Sequence, residues 1–478
     1  MSNTAQGLAS RRVASLLDEN SFVEIGRYVT ARNTDFNMQQ TETPADGVIT
    51  GYGIIDGRLV YVYSQDASVL GGSIGEMHAR KIAGIYDLAM KMGAPVIGLI
   101  DCAGMRLQEA TDALNAFGEI YKRQALASGV IPQITAIFGT CGGGLAVMPA
   151  LTDFTFMEGK KAKLFVNSPN ALDGNEVSKC DTASAKFQSE EAGLVDFVGS
   201  EEKIFAGIRN LICMLPANNE DDDSYEECTD DLNRVCSGLA NGAADATILL
   251  SNISDNSVFV ETKAGYAKEM VTGFIKLNGM TVGAVANRTA VYDADGKITE
   301  EFDAVLTTKG ARKAAKFVNF CDAFQIPVLS FTNVKGFKAN MHAERSISSA
   351  VGELTYAFAN ATVPKVNVIT GEAYGSAYVA MNSKALGADV TFAWTDAQIG
   401  MMDAKLAAKI MYADADAATV SEKAAEYAQL QSSALAAAKR GYVDTLIEAE
   451  DTRKYVIGAF EMLFTKREDR PVKKHGTV

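Results

Sequence analysis

The chain has 478 residues, a length typical of two or three domains. With 47% hydrophobic and 22% charged residues, it has the composition of a globular protein that buries a sizeable core. Its net charge of −14 argues against nucleic acid or an anionic membrane surface as the main partner.

The N-terminal segment has no apolar signal sequence, and no apolar run approaches about 18 residues. We therefore expect a cytoplasmic protein without a membrane span. The seven cysteines form no C-x-x-C pair, and the three histidines are far apart in the sequence. Neither a metal site nor a disulfide framework is predicted.

The first half alternates short strands with amphipathic helices. Residues 47–64 alternate in polarity around an Asp-Gly turn, which is typical of a β-hairpin. Apolar residues at helical spacing predict a helix over 79–92. A buried strand is predicted at 96–101, and a second helix over 107–127.

A glycine-rich turn ends this series, in the stretch 131–145 (IPQITAIFGTCGGGL). An apolar run of strand character leads into the glycines at the start of a predicted helix. Backbone N–H groups at such a turn are uncovered and suit an anion or a developing oxyanion. The alternative is that the glycines serve only close packing of helix on sheet.

The second half repeats the first in the same order. Residues 325–338 match 93–106, and residues 363–377 (VPKVNVITGEAYGSA) match 131–145; 325 − 93 and 363 − 131 are both 232. Several matches at one offset predict an internal duplication. We refer to this shared spacing as the duplication offset.

The two halves also predict the domain organisation. An acidic, solvated linker is predicted at 218–236, between domains at 1–217 and 237–478. Because each half alternates strands with helices, the predicted fold class is α/β with helices covering the sheets.

Two strand ends in each half carry small residues, at 103–104 with 141–144 and at 334–336 with 374–377. N–H donors from two such turns can converge on one carbonyl oxygen and stabilise it as an enolate. A duplicated protein would have two such oxyanion holes, suited to two carbonyl ligands.

Charged residues near these turns are weaker candidates. Glu109 and Glu119 lie on the helix predicted at 107–127 and are candidates for a general acid or base, although surface carboxylates on a helix are far commoner. Asp101, Arg106 and Arg123 are candidates for contacts with coenzyme phosphates, although helix-end charges usually satisfy local partners.

Residues 89–92 spell A-M-K-M, the tetrapeptide that surrounds the biotinylated lysine of carrier domains. A biotinylated lysine needs an exposed hairpin turn flanked by strands. Here the tetrapeptide ends the helix predicted at 79–92. It is therefore not predicted to be a biotin attachment site.

Five segments carry a resemblance to a known family: GGSIGEMH (71–78), LASGVIPQI (126–134), PALTDFTFM (149–157), FCDAFQIP (320–327) and YAFANATVPKV (356–366). By these segments the chain resembles the carboxyltransferase subunits of biotin-dependent acyl-CoA carboxylases and decarboxylases, of the propionyl-CoA carboxylase β and methylmalonyl-CoA decarboxylase α type. The resemblance implies tandem duplicated crotonase-like domains built from ββα units. It also implies a homo-oligomer, a trimer or a hexamer of stacked trimers, with each active site between one subunit's N-terminal half and another's C-terminal half.

By this resemblance, the domain at 1–217 binds the acyl-CoA and the domain at 237–478 binds biotin. The oxyanion donors for the thioester would be the backbone around Gly104, Met105, Gly143 and Gly144. On the biotin side, the resemblance implies catalytic N–H groups at Ser376 and Ala377 and cofactor-binding positions at Gly336, Tyr374, Gly375 and Val379.

The function that the resemblance implies is transfer of a carboxyl group between biotin N1 and the α-carbon of a short acyl-CoA. The biotin ureido group serves as the base, and biotin is carried on a separate biotin carrier protein. A biotin carboxylase or a membrane decarboxylase subunit completes the complex. The small apolar Val379, near the acyl selector, leaves propionyl/methylmalonyl-CoA and acetyl/malonyl-CoA both open as substrates.

Two alternatives remain at this stage. One is a crotonase-type hydratase or hydrolase that uses Glu109 or Glu119 as its base. The other is a non-catalytic subunit of a carboxylase complex.

The chain departs from the usual family pattern at four positions near the turns. Met105 replaces a small residue, Lys335 a proline, Ser376 a glycine and Asp403 a glycine. A backbone N–H survives a change of side chain, so we expect the donors at 105 and 376 to persist. Lys335 adds an N–H that proline lacks.

Overall fold

The computed structural model describes residues 7–221 and 224–471, and it divides into two compact units, Met1–Ser224 and Tyr225–Val478. The division lies inside the stretch 218–236 that was predicted to be a linker.

The first unit contains one eight-stranded sheet with the strand order β1-β2-β3-β4-β5-β6-β8, and β7 pairs with β5. The β1–β2–β3 pairs are antiparallel, and every pair from β3 onward is parallel. Its elements are α1 (Leu8–Leu16), β1 (Val23–Ile25), β2 (Val48–Ile55), β3 (Arg58–Gln65), α2 (Glu76–Met92), β4 (Val96–Cys102), α3 (Ala110–Ala127), β5 (Gln133–Gly142), α4 (Met148–Leu151), β6 (Phe154–Glu158), β7 (Lys163–Phe165), β8 (Phe197–Gly199) and α5 (Glu201–Met214).

The second unit contains a matching sheet with the order β9-β10-β11-β14-β15-β16-β18, in which β17 pairs with β15, and a separate hairpin β12–β13. Its elements are α6 (Leu239–Gly242), α7 (Ala246–Ile253), β9 (Phe259–Thr262), β10 (Met270–Leu277), β11 (Met280–Asn287), β12 (Ala290–Tyr292), β13 (Ile298–Glu301), α8 (Thr308–Ala323), β14 (Val328–Val334), α9 (Met341–Glu344), α10 (Ile347–Asn360), β15 (Lys365–Tyr374), α11 (Gly375–Ala380), β16 (Val390–Trp394), β17 (Gln398–Gly400), α12 (Ala404–Met411), α13 (Ala417–Tyr427), α14 (Ala434–Lys439), β18 (Thr445–Ile447) and α15 (Thr452–Leu463).

The predicted α/β elements of the first half are confirmed, with small shifts at their ends. The hairpin is β2–β3, and the helix predicted at 79–92 begins three residues earlier, at Glu76. The helix predicted at 107–127 begins instead at Ala110, after a short 3₁₀ turn. Helix α2 ends at Met92, and Gly93 follows it with a φ of 59°, the left-handed conformation that glycine adopts most readily at a helix C-terminus.

The duplication is confirmed down to individual hydrogen bonds. Asp153 accepts the backbone N–H of Gln133 at 2.8 Å, and Asp389 accepts that of Lys365 at 2.8 Å. In each unit this carboxylate thus fixes the first residue of a central strand. The bulge between β4 and β5 is repeated between β14 and β15, again at the duplication offset.

The stretch predicted to be a solvated linker is docked onto both units. Asn218 donates a side-chain hydrogen bond to the Gly93 carbonyl at 2.9 Å, within the first unit. The Glu226 N–H donates to the Gly279 carbonyl at 3.0 Å, within the second. Ser224, between them, is buried. The acidic composition therefore coexists with specific anchoring at both ends.

Within residues 7–221 and 224–471, none of the helices has the length and apolarity to cross a membrane.

Candidate active site

The first candidate site lies at the carboxyl ends of β4 and β5. These strands are parallel neighbours, and Cys102 pairs with Cys141 just before both strands end. Neighbouring strands lie about 4.8 Å apart, so the two turns that follow are side by side at one edge of the sheet. We refer to residues 103–106 as the first strap and to residues 142–145 as the first glycine turn.

Met105 presents its backbone N–H at the middle of the first strap. Ile74 N–H donates to the Gly104 carbonyl at 2.9 Å, and Arg106 N–H donates to the Ile74 carbonyl at 2.9 Å. Because alternate residues of an extended segment point their N–H groups to opposite sides, the Met105 N–H points away from Ile74. No residue of the described chain accepts it, so it is available to a ligand.

The first glycine turn supplies further donors. A 3₁₀ helix begins at Gly143, and the N–H groups that open a helix have no acceptor within it. Gly104 has a φ of +107° and Gly143 a φ of +64°. A Cβ built on either glycine would meet no described atom within 4 Å. A ligand can therefore approach the backbone of both turns closely.

Two side chains hold these turns from within the unit. Tyr121, on α3, donates a hydrogen bond from its phenol to the Gly144 carbonyl. The Cys102 thiol lies 3.3 Å from the Gly104 N–H. Burial raises the pKa of Cys102 to about 11, so this sulfur is a neutral thiol near pH 7 and not a nucleophile.

The structure corrects the alternatives for Arg106 and Glu109. Both side chains are buried, and Arg106 Nη1 lies 2.7 Å from Glu109 Oε1. The other oxygen of Glu109 accepts the Glu76 N–H at 2.5 Å. The structure therefore argues against the hypotheses that Arg106 contacts a phosphate and that Glu109 is a general base, because both side chains are buried and paired within the unit.

The remaining charged candidates also have local partners. Asp101 lies 2.9 Å from a guanidinium nitrogen of Arg12. Arg123 pairs with Asp87 at 2.9 Å and with Glu119 at 3.5 Å. These charges have partners within the first unit, so the backbone N–H groups remain the candidate binding groups of this site.

The second unit repeats the arrangement after β14 and β15, where Val334 pairs with Ala373. In the second strap (residues 335–338), Leu306 N–H donates to the Gly336 carbonyl at 2.9 Å, and Lys338 N–H donates to the Leu306 carbonyl at 2.8 Å. The residue whose N–H points outward is therefore Phe337. Sequence analysis missed Phe337, although applying the duplication offset to Met105 identifies it.

The second glycine turn (residues 374–377) opens helix α11. Gly375 has a φ of +60° and Ser376 follows it, at the places of Gly143 and Gly144. Ala377 is buried, and so is Tyr374, whose phenol donates to Gln398 Oε1 at 2.5 Å. Burial raises the pKa of Tyr374 to about 12.

Val379 and Gly336 complete the predicted set on this side. Val379 is 39% exposed, on the turn of α11 that follows the glycine turn. A Cβ on Gly336 would meet no described atom within 4 Å. Both are accessible, whereas the side chains of Tyr374 and Ala377 are not.

Two of the departures from the family pattern have local structural roles. Asp403 caps helix α12, accepting the N–H groups of Lys405 and Leu406 at 3.1 and 3.0 Å. The Lys335 N–H, which a proline would lack, donates to the Ala304 carbonyl at 2.8 Å.

Two tandem units, each with a twisted sheet, an outward-facing strap N–H and a glycine turn, have the crotonase-like carboxyltransferase fold. Residues 3–478 match the family model described as the carboxyl transferase domain. The chain belongs to the carboxyl transferase family.

Three similar proteins indicate which activity within this family the chain has. The methylmalonyl-CoA decarboxylase subunit alpha of Propionigenium modestum is 40% identical, over 98% of this chain and 92% of its own. The propionyl-CoA carboxylase beta chain of Roseobacter denitrificans is 40% identical, over 98% of this chain and 93% of its own. Transcarboxylase 12S, solved with methylmalonyl-coenzyme A and methylmalonic acid bound, is 36% identical with a TM-score of 0.92, over 98% of this chain and 92% of its own. This chain is an enzyme of acyl-CoA carboxyl transfer, as the sequence predicted.

Proposed function

We propose that this enzyme moves a carboxyl group between biotin N1 and the α-carbon of a short acyl-CoA, and that the first unit holds the thioester. The observation that carries the proposal is the outward N–H of Met105 beside the glycine turn at Gly143 and Gly144. Loss or gain of a carboxyl group at the α-carbon places negative charge on the thioester oxygen. Donors fixed before the reaction stabilise that charge without reorganisation.

The accessible glycines support the same assignment. Open space over Gly104 and Gly143 lets a thioester carbonyl reach the backbone of both turns. Loss of one oxyanion-hole donor typically lowers kcat by about 10²–10³-fold. Two such donors on neighbouring strand ends therefore supply a large share of the rate without a side-chain base.

The first experiment uses the purified full-length protein with free biotin. Methylmalonyl-CoA and malonyl-CoA are supplied separately, and release of CO2 is measured. We expect turnover with at least one of them, and the ratio of their kcat/KM values identifies the preferred acyl group. A folded protein that turns over neither thioester would refute the proposed function.

The second unit is proposed to bind biotin, at Gly336, Phe337, Gly375 and Ser376. The backbone fits this group, because the accessible Gly336 and the donors at the start of α11 suit a ureido carbonyl. Bound biotin supplies the carboxyl carrier at N1 and a ureido nitrogen that exchanges a proton with the acyl α-carbon. The protein's own part is to hold the ureido oxygen through backbone N–H groups.

Replacing Gly336 by Ala tests this side. Its φ lies outside the left-handed region, so the methyl group causes no backbone strain and acts only by filling the open space. We expect a KM for biotin raised by about tenfold or more, with an unchanged KM for the thioester. Gly458→Ala, at another open glycine in α15, is the matched control. Equal KM values for biotin in both variants would contradict the assignment.

The partners follow from the proposed chemistry. Biotin arrives on a separate carrier protein, and a biotin carboxylase or a membrane decarboxylase subunit loads or discharges it. Transcarboxylase 12S is described as a hexamer, which supports a homo-oligomeric trimer or hexamer here. Affinity purification from the native cells followed by mass spectrometry tests the partners, and light scattering tests the oligomer.

A further inference from the structure

The two straps share one backbone arrangement but differ in the burial and the partners of the side chain at their last residue. In the first, the Arg106 side chain is fully buried. In the second, Lys338 stands at the equivalent position, and its side chain is 41% exposed. A buried guanidinium is rare unless it is fully paired, so its contacts identify what it holds.

Arg106 contacts the nearby Glu109 and two residues that lie 60 and 33 positions earlier in the chain, Asp46 and Ser73. Its Nη1 lies 2.6 Å from Asp46 Oδ1 and 2.7 Å from Glu109 Oε1. Its Nη2 donates to the Ser73 carbonyl at 2.9 Å, and its Nε lies 3.4 Å from Ser73 Oγ. The planar guanidinium thus ties the strap to Ser73 and Asp46, in addition to the strap's backbone hydrogen bonds with Ile74.

The carboxylates of Asp46 and Glu109 also accept hydrogen bonds from the start of helix α2. The second oxygen of Asp46 accepts the His78 N–H at 2.7 Å, and that of Glu109 accepts the Glu76 N–H at 2.5 Å. Gly75 precedes them, and a Cβ there would lie 2.3 Å from a guanidinium nitrogen of Arg106. The cluster is therefore packed without room for relaxation.

The equivalent place in the described part of the second unit has no such cluster. Lys338 pairs there with the exposed Asp303, at 2.8 Å. Met341, which stands at the duplication offset from Glu109, is 82% exposed. The same strap therefore forms without buried charges, so the backbone arrangement alone does not require them.

We propose that Arg106, with Asp46 and Glu109, is a positioning residue that fixes the Met105 N–H against the thioester oxygen, an inference that rests on the proposed function. An oxyanion donor contributes fully only where its position is set before the charge develops. In the first unit a buried ion-pair cluster holds the strap that carries this donor, whereas the equivalent residue of the second strap is the exposed Lys338.

Arg106→Lys tests the inference, because lysine keeps the charge and loses the planar fork. We expect kcat for CO2 release from the preferred malonyl-type thioester to fall by about 10–100-fold, with KM changed by less than about threefold. Binding of a CoA analogue that carries a nitronate in place of the enolate should weaken by a similar factor. Binding of CoA itself, which has no carbonyl at the strap, should not change.

Arg209→Lys is the matched control, because Arg209 pairs with two carboxylates of the first unit, Asp18 and Asp56, away from both straps. It should leave kcat for CO2 release within about twofold of wild type. An Arg106→Lys protein with a normal oligomer and melting temperature and with kcat within about twofold of wild type would overturn the inference. Equal weakening of the analogue and of CoA would also overturn it, because that pattern indicates general loss of structure.

Glu109→Gln provides a second route if Arg106→Lys does not fold. It keeps the shape of the side chain and removes one charge from the cluster, and we expect kcat to fall by about 3–10-fold. An unchanged kcat in this variant would contradict the inference. Wild-type protein that releases no CO2 refutes the proposed function and this inference with it, whereas active wild type with an unimpaired Arg106→Lys refutes the inference alone.

Discussion

The phenol of Tyr121 donates a hydrogen bond to the carbonyl oxygen of Gly144, from the middle of helix α3 to the turn that follows β5. The second unit differs at this place: Glu353 stands at the duplication offset from Tyr121 and pairs with Arg312 at 3.3 Å. A helix thus orients the glycine turn of the first unit through one hydroxyl group.

Tyr121→Phe removes that hydroxyl and keeps the ring. The net value of a hydrogen bond is about 0.5–1.5 kcal/mol, so we expect kcat for thioester decarboxylation to fall by about 2–13-fold. Tyr52→Phe, in the hairpin of the same unit, is the control and should retain wild-type kcat. Equal kcat values for the two variants would show that the hydroxyl does not orient the turn.

Gly143→Ala places a methyl group in the space over the first glycine turn. The left-handed φ of +64° costs an alanine about 1–2 kcal/mol of folding stability, and Gly57, with a φ of +84° and equally open surroundings, imposes a similar cost. We therefore expect both Gly143→Ala and Gly57→Ala to lower the free energy of unfolding similarly. Only Gly143→Ala should lower kcat/KM for the thioester, by about tenfold or more.

Urea unfolding and steady-state kinetics on the two variants check this pair of expectations. Similar losses of kcat/KM in both would mean that the open space over Gly143 has no part in thioester binding.

Gly279→Ala is expected to destabilise the protein more than Gly57→Ala, although the two glycines occupy equivalent hairpin turns. A Cβ on Gly279 would lie 1.7 Å from the Glu226 carbonyl oxygen, whereas one on Gly57 meets no described atom within 4 Å. Overpacking adds about 1–3 kcal/mol to the cost of the left-handed backbone. Thermal unfolding measures the difference, and faster proteolysis near Glu226 would locate it. Equal melting temperatures would contradict the anchoring of this segment.

His78 makes the first unit sensitive to acid. Burial lowers the pKa of His78 to about 3, and the neighbouring Arg106 contributes in the same direction. The unfolded histidine has a pKa of about 6.5, so between these values the unfolded chain binds a proton that the folded chain does not. Stability therefore rises with pH through this window and falls on acidification, by up to about 1.4 kcal/mol per pH unit.

Urea titrations across about pH 4–7 test this dependence. His78→Gln should be less stable than wild type at neutral pH but should show a shallower decline toward acid. His342→Gln, at an exposed position of α9, should decline as wild type does. A His78→Gln slope equal to that of wild type would refute the assignment.

The sequence predicted the features that depend on repetition and on local pattern. The constant duplication offset placed β14 and β15 on β4 and β5, and helical spacing placed the buried face of α2. The two glycine turns were also predictable, because glycine at the end of a strand often adopts the left-handed backbone that such a turn needs. Helices and turns can be predicted because they depend on residues close together in the chain, and the duplication because it repeats a sequence pattern.

The buried charges could not be predicted in the same way. Arg106 follows a strand end and has the pattern of a ligand-binding residue, but its partner Asp46 lies 60 residues earlier in the chain. Which charge is buried depends on tertiary pairing, which a single sequence does not display. Phe337 was missed because its phenyl group suggests packing, whereas its backbone N–H is the feature that matches Met105.

The A-M-K-M tetrapeptide occupies the last turn of helix α2, which ends at Met92. A biotin ligase acts on an extended hairpin, so this lysine is not expected to become a substrate. A streptavidin blot of the purified complex should therefore stay blank at the mass of this chain, 50.9 kDa. A band at any other mass would belong to another polypeptide, so the same blot would give the molecular mass of the biotin carrier proposed above.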